Sequence, residues 1–169
     1  MNRDIKFRGK GIEEYDKDKW YYGSYFIYNA INYFCLDDGS RTKEINEKIK
    51  NNIKYKIIFE MQGDLNMENH IKLADVNPET VGQYTGVDDK NGKEIYEGDI
   101  VLLDCYNYEE PLFSGEFKVI YDVEKGMWLL VDLENKDRVF TFGEIRSYYK
   151  AEIEVIGNEV DNTELLEGE

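Results

Sequence analysis

The sequence predicts a mostly β fold with one short helix, and three observations carry that expectation. Tyrosine (14) and phenylalanine (8) are abundant while alanine occurs only three times, a bias toward residues that suit a pleated, half-buried surface. Apolar and polar residues alternate over short runs. Clusters of Gly, Asn and Asp separate those runs as turns would. With 41% hydrophobic and 14% aromatic residues, the chain carries too much apolar surface for a disordered one. Its 169 residues fit one domain or two small ones, and a chain of this size buries about 70% of its unfolded surface.

The first strand is expected at Asp4–Lys10, with Ile5 and Phe7 on one side and the basic Lys6 and Arg8 on the other, ending at Gly9 and Gly11. After the charged turn Glu13–Lys19, the aromatic run Trp20–Tyr28 reads as a second strand with a central Gly23. Asn32–Leu36 looks like its hairpin partner, ended by Asp37-Asp38-Gly39. The period then changes, because Ile45, Ile49 and Ile53 recur every four residues behind Thr42 as N-cap, so one amphipathic helix is placed between Arg41 and Asn52. Alternation resumes at Tyr55, Ile57, Phe59 and Met61, and a polar loop follows from Gly63-Asp64, with His70 inside it.

The stretch Val76–Val101 is the most distinctive. Asn77-Pro78-Glu79-Thr80 has the order of an N-cap, a proline at the first helical position and an acid in the first turn. Gly82 and Gly86 follow too soon for a long helix. Asn91-Gly92, inside Asp89–Lys93, is the dipeptide best able to form a type I′ hairpin turn. Glu97-Gly98-Asp99 turns the chain into the apolar strand Ile100–Leu103, whose unbroken run implies burial on both sides or strong curvature. Further strands are expected at Glu116–Val123, Met127–Leu133, Arg138–Phe142 and Glu152–Ile156, with a bend at Gly143. About five short strands in so few residues suit a small closed barrel better than a sandwich. Asp161–Glu169 is acidic and is expected as a solvated tail, with Leu165 and Leu166 its only docking points.

Charge is unevenly distributed. Residues 1–96 carry 15 basic and 17 acidic side chains, whereas residues 97–169 carry 6 and 19, a net −13. The expected organisation is a β-rich part over 1–75 with one short helix, a connector over 76–98, a small barrel over 99–158 and an acidic tail over 159–169. Cys35 and Cys105 are far apart and lack ligand spacing, so they read as buried thiols. No run approaches the 18 apolar residues of a membrane span, and the N-terminus lacks a secretory core, so a cytoplasmic protein is expected.

Three segments together resemble one family: IKFRGK at Ile5–Lys10 with Trp20 and Gly23 following, PETVGQYTG and DKNGKEIYEGDIV across Pro78–Val101, and EVIGN at Glu154–Asn158. The chain is identified on these motifs as a member of the YopX-like group of small proteins, found mainly in bacteriophages and prophages. The resemblance implies a β-rich N-terminal part, a C-terminal barrel of the SH3 type and no known catalytic residues. Pro78, Gly82, Gly86, Asn91, Gly92, Gly98, Asp99 and Gly157 match its signature, in structural roles. The chain departs from it in the insert around residues 37–56 and in its acidic C-terminal half.

Catalysis finds little support. The lone His70 gives no positioned base for a Ser, Thr or Cys nucleophile. Asp99, Asp104, Glu116 and Asp122 have the chemistry of metal ligands but not a ligand spacing. Gly9-Lys10-Gly11 has neither phosphate-loop nor dinucleotide spacing. No cofactor is expected. A non-catalytic binding module acting through its acidic barrel on a protein partner, basic in character, is the leading reading. The alternative is a nucleic-acid face made of Lys6, Arg8, Lys10, Lys48, Lys50, Lys54 and Lys56, with Trp20 and Tyr21 or Tyr22 for stacking, which the global charge of −15 opposes. Self-association through the tyrosine-rich strands is a further expectation.

Overall fold

The computed structural model describes residues 4–29, 52–61, 70–107, 110–148 and 150–166, which are mostly antiparallel strand. They form two compact units, one spanning Lys6–Val81 and one beginning at Gly82 that also includes Asp4 and Ile5.

The first unit contains β1 (Phe7–Lys10), β2 (Trp20–Asn29), β3 (Ile53–Met61) and β4 (His70–Asp75), hydrogen-bonded in the order β4-β3-β2-β1. Directly opposed residues in an antiparallel pair share a face, so the pairs Tyr25↔Ile57 and Ile57↔Ala74 place the core on one side of the sheet. Tyr21, Ile57, Ala74 and Val76 are buried there, with Tyr25, Tyr55, Phe59 and Val81 packed against them. Tyr21 hides its hydroxyl by donating to Asp16 at 2.8 Å. The glycine within the aromatic run has a steric cause, because a Cβ on Gly23 would run into the carbonyl oxygen of Ile58 on β3.

His70 opens a strand, contrary to the loop expected there. The alternation Ile71-Lys72-Leu73-Ala74 is short, and β4 is an edge strand whose Ile71 and Leu73 stay 76% and 55% exposed. Its pairing with β3 is a long-range contact that local pattern does not reveal. The expected strand Asn32–Leu36, the helix between Arg41 and Asn52 apart from its last residue, the Gly63-Asp64 loop and Cys35 lie outside the described residues. Pro78–Thr80 forms a single 3-10 turn, with Pro78 at the first position and Asn77 as N-cap, its side chain accepting from Glu79 N at 3.1 Å.

The second unit opens with the hairpin β5 (Gly82–Asp88) and β6 (Glu94–Tyr96). A five-stranded antiparallel sheet follows: β7 (Asp99–Asn107), β8 (Glu110–Asp122), β9 (Met127–Asp132), β10 (Val139–Thr141) and β11 (Lys150–Asn158), ordered β10-β9-β8-β7-β11. Among the described residues no ladder joins β10 to β11, so the sheet is open. Val101, Leu103, Cys105, Phe117, Val119, Leu130 and Ile153 face one side, where Ile95 also packs. Phe142 and Ile145 of α1 (Phe142–Tyr148) cover that side. The full burial of both Ile100 and Val101, neighbours on opposite faces, explains the unbroken apolar run at the start of β7.

Three details depart from the sequence expectation. The Asn91-Gly92 tip is a five-residue loop rather than a two-residue I′ turn: Gly92 N donates to Asp89 O at 3.0 Å and Gly92 takes a φ of +80°. The Gly143 bend is the second residue of α1, which Thr141 and Glu144 open as a capping box: Glu144 N donates to Thr141 Oγ1 at 3.1 Å and Thr141 N to Glu144 Oε2 at 2.8 Å. The acidic tail folds back as far as Leu166, since Asn158 N donates to Asn162 Oδ1 at 3.2 Å and a 3-10 turn forms at Thr163–Leu165.

Candidate functional site

The sheet of the second unit gathers carboxylates on the face away from its core. Glu152 lies directly opposite Asp104, and Glu154 and Glu116 both lie opposite Leu102 from either side. Strand alternation therefore brings four acids from β11, β7 and β8 onto one surface. Opposed side chains in such a pair are about 5 Å apart at Cβ, where like charges destabilise. The same registers place Lys118 and Lys150 on this face, and Lys90 Nζ stands 2.7 Å from Glu154 and 3.8 Å from Glu152. Its ammonium pKa is raised by the hydrogen bond to Glu154 and by the surrounding carboxylates, against the effect of desolvation. Glu152 and Glu154 remain 53% and 38% exposed. Their alternation across Ile153 is visible in the sequence, but the register that sets them against Asp104 is not.

The carboxylates singled out as metal ligands do not converge. Asp104 and Glu116 belong to this face, whereas Asp99 is buried and accepts from Tyr96 N at 2.8 Å. Asp122, at the far end of β8, pairs with Lys125 at 3.0 Å. Among the described residues no three His, Cys, Asp or Glu side chains are grouped to hold a metal ion.

The signature residues shape backbone. Gly98, at φ +79°, turns β6 into β7, and its N–H donates to Val119 O at 2.9 Å while a Cβ there would meet Glu159. Gly82 begins β5 and Gly86 lies within it, while Gly157 marks the β-bulge where β11 shifts register against β7. The loop carrying Asn91 and Gly92 is held by Asp89, whose buried carboxylate accepts from Asn91 N at 2.7 Å, Lys93 N at 2.9 Å and Val155 N at 3.1 Å. Sequence reading passed over Asp89; an Asp two residues before Asn-Gly was the available signal.

In the first unit the predicted basic residues on described strands share one face, the side away from the core. The pairs Lys10↔Trp20, Arg8↔Tyr22, Phe26↔Lys56 and Tyr28↔Lys54 place Arg8, Lys10, Trp20, Lys54 and Lys56 together, with Lys6 just before β1. Much of this charge is already engaged. Arg8 is 6% exposed with its guanidinium 4.8 Å from the Trp20 ring centroid, and Lys10 Nζ approaches the same ring at 5.8 Å. Lys56 Nζ bonds Asp75 at 2.6 Å, while Lys54 is exposed. Tyr21 points to the core; Tyr22 is on the basic face and 51% exposed. Lys48 and Lys50 lie outside the described residues.

Comparison with known proteins gives one family. The family model described as YopX protein matches residues 6–167. No curated protein matches the chain. Among solved structures, the crystal structure of protein EF1440 from Enterococcus faecalis covers 98% of this chain and 100% of its own, at 20% identity and a TM-score of 0.42. Among the described residues, no helix is long and apolar enough to cross a membrane.

Proposed function

We propose that this chain, which belongs to the YopX family, is a non-catalytic binding module whose carboxylate face engages a basic surface on another protein. The observation carrying this reading is the direct opposition of Glu152 and Asp104, flanked by Glu154 and Glu116, with Lys90 as the cation bonded among them. Such a face is costly in the free protein, and a partner's Lys or Arg side chains relieve that cost on contact. Outside Lys6–Val81 the chain carries nine basic and 23 acidic side chains, a net −14, which steers a basic partner and repels nucleic acid. We read the sheet that carries this face, with α1 over its core side, as the family's SH3-like unit.

The test is capture of host proteins on the full chain, followed by titration of the purified partner against wild type and a Glu116→Gln/Glu152→Gln/Glu154→Gln variant. The expected result is a basic partner that the variant binds at least tenfold more weakly, or about 1.4 kcal/mol. Equal binding by the variant rejects the carboxylate face.

Nucleic-acid binding is the second reading, supported by the shared face of Arg8, Lys10, Trp20, Lys54 and Lys56. Against it stand the burial of Arg8 and the near-neutral balance of Lys6–Val81, 12 basic and 13 acidic side chains. Absence of a gel shift with a single-stranded oligonucleotide at low salt removes it.

A further inference from the structure

Where β11 begins, the second unit carries a cleft of about 400 Å³, within the range of ligand sites. It is lined from the Asp88–Lys90 end of the hairpin loop, from α1 and from the start of β11, with Val87, Ile145 and Ile153 as its apolar part. Its lining carries three basic and three acidic side chains, a balance unlike the net −14 of the chain outside Lys6–Val81. Lys90, Arg146 and Lys150 converge on the cleft, and the exposed Arg146 and Lys150 have no ion pair among the described residues. Of the carboxylates lining it, Asp88 accepts from Tyr84 Oη at 2.6 Å and Asp89 from three backbone N–H groups, while Glu152 stands 3.8 Å from Lys90 and stays 53% exposed.

The backbone supplies a second, independent observation. Among the described residues β11 is an edge strand, and the loop covers only part of that edge. Lys90 N donates to Ile153 O at 2.8 Å and Val155 N donates to Asp89 Oδ2 at 3.1 Å. Both bonds lie outside the ladder with β7, so they fix the phase: Ile153 and Val155 turn their polar groups toward the free edge. Ala151, two residues earlier and in the cleft wall, is in the same phase. Its N–H and C=O, and the N–H of Ile153, therefore point along the uncovered part of the edge.

A free phosphate or nucleotide would use the cations and leave this edge unpaired; an extended peptide uses both. We propose that the cleft takes an extended acidic peptide segment, which adds as a strand at Ala151 and Ile153 and sets its carboxylates against Arg146 and Lys150. Strand addition supplies the main-chain bonds, and the guanidinium and ammonium groups supply the selection for acid.

The test is selection of a displayed random peptide library on the full chain, in parallel with an Arg146→Gln/Lys150→Gln variant and with Ala151→Pro. Both charge substitutions are on exposed side chains, so that variant keeps its fold. Sequences rich in Asp and Glu are expected to enrich on the wild type, and a synthetic acidic peptide chosen from them to bind the charge variant about tenfold more weakly. Ala151→Pro, which removes an edge N–H and no charge, is expected to weaken the same peptide by a similar factor. No enrichment of acidic sequences, or equal binding by the charge variant, overturns the proposal. So does wild-type affinity in Ala151→Pro together with displacement of the peptide by inorganic phosphate. Enrichment of Lys- and Arg-rich sequences that persists in the charge variant overturns it while supporting the carboxylate face, so the two readings fail separately.

Discussion

Replacing Asp89 with alanine tests how the hairpin loop is fastened to β11. The carboxylate is 8% exposed and accepts from Asn91, Lys93 and Val155. Hydrogen bonds to a charged group contribute about 1.5–3 kcal/mol each, but the three do not add. Asn91 and Lys93 are exposed, so water takes over their N–H groups, whereas Val155 is half-buried and its donor is left poorly satisfied. The expected loss is about 3 kcal/mol, with Asp89→Asn intermediate because it keeps one acceptor oxygen. Burial alone would raise this carboxyl, but the N–H groups of Lys93, Val155 and Asn91 outweigh it and hold the pKa below the ordinary value. A carboxyl depressed in the folded state stabilises fully above its unfolded value of about 3.9 and loses that contribution as pH falls through the lower folded value. The gap between wild type and Asp89→Ala is therefore constant from neutral pH to about pH 5 and closes only under stronger acid. Urea unfolding followed by Trp128 fluorescence in a Trp20→Phe background measures it. A loss under about 1 kcal/mol, or a gap that closes between pH 7 and 5, would refute this reasoning.

Gly23→Ala is expected to destabilise the first unit by about 3 kcal/mol, because the added Cβ meets the backbone of β3 rather than a flexible side chain; an unchanged thermal transition by circular dichroism contradicts this. Arg138→Met removes the ion-pair partner of Asp132, which is 1% exposed and accepts from Arg138 Nε at 2.5 Å, and leaves that carboxylate with the N–H groups of Glu134 and Asn135 alone. The expected loss is about 2 kcal/mol in denaturant titration, below the 3–5 for a fully buried pair because Arg138 is 33% exposed. Burial and bonds to Asp16 and Asp88 push Tyr21 and Tyr84 up to about 12. Their contribution is complete below the unfolded value of about 10 and is lost as pH rises through the folded one. Ultraviolet titration should show late phenols, Tyr25 also being raised by burial, and one of them disappears in Tyr21→Phe.

Much of the fold was legible because local chemistry dictates it. The aromatic run gave β2, alternation gave β3, turn clusters on either side gave β9, and Asn77-Pro78 gave the 3-10 turn. Thr141 and Glu144 spelled a capping box that announces α1, yet two apolar residues and Gly143 made the segment look like a bend. The edge strand β4 was hidden because its apolar residues stay exposed and only pairing with β3 makes it a strand. The candidate sites divide in the same way. The basic alternation of β1 was readable, while the burial of Arg8 against Trp20 depends on the partner strand. Likewise Glu152 and Glu154 are plain in the sequence, but their opposition to Asp104 and Leu102 is a matter of register between strands nearly 50 residues apart.

The most direct test of the carboxylate face is the affinity of the captured partner for wild type and for Glu116→Gln/Glu152→Gln/Glu154→Gln, measured at low and at high salt. A loss of at least tenfold at low salt, shrinking as salt screens the charges, is the expected result. Equal affinity of the two proteins at low salt would contradict it.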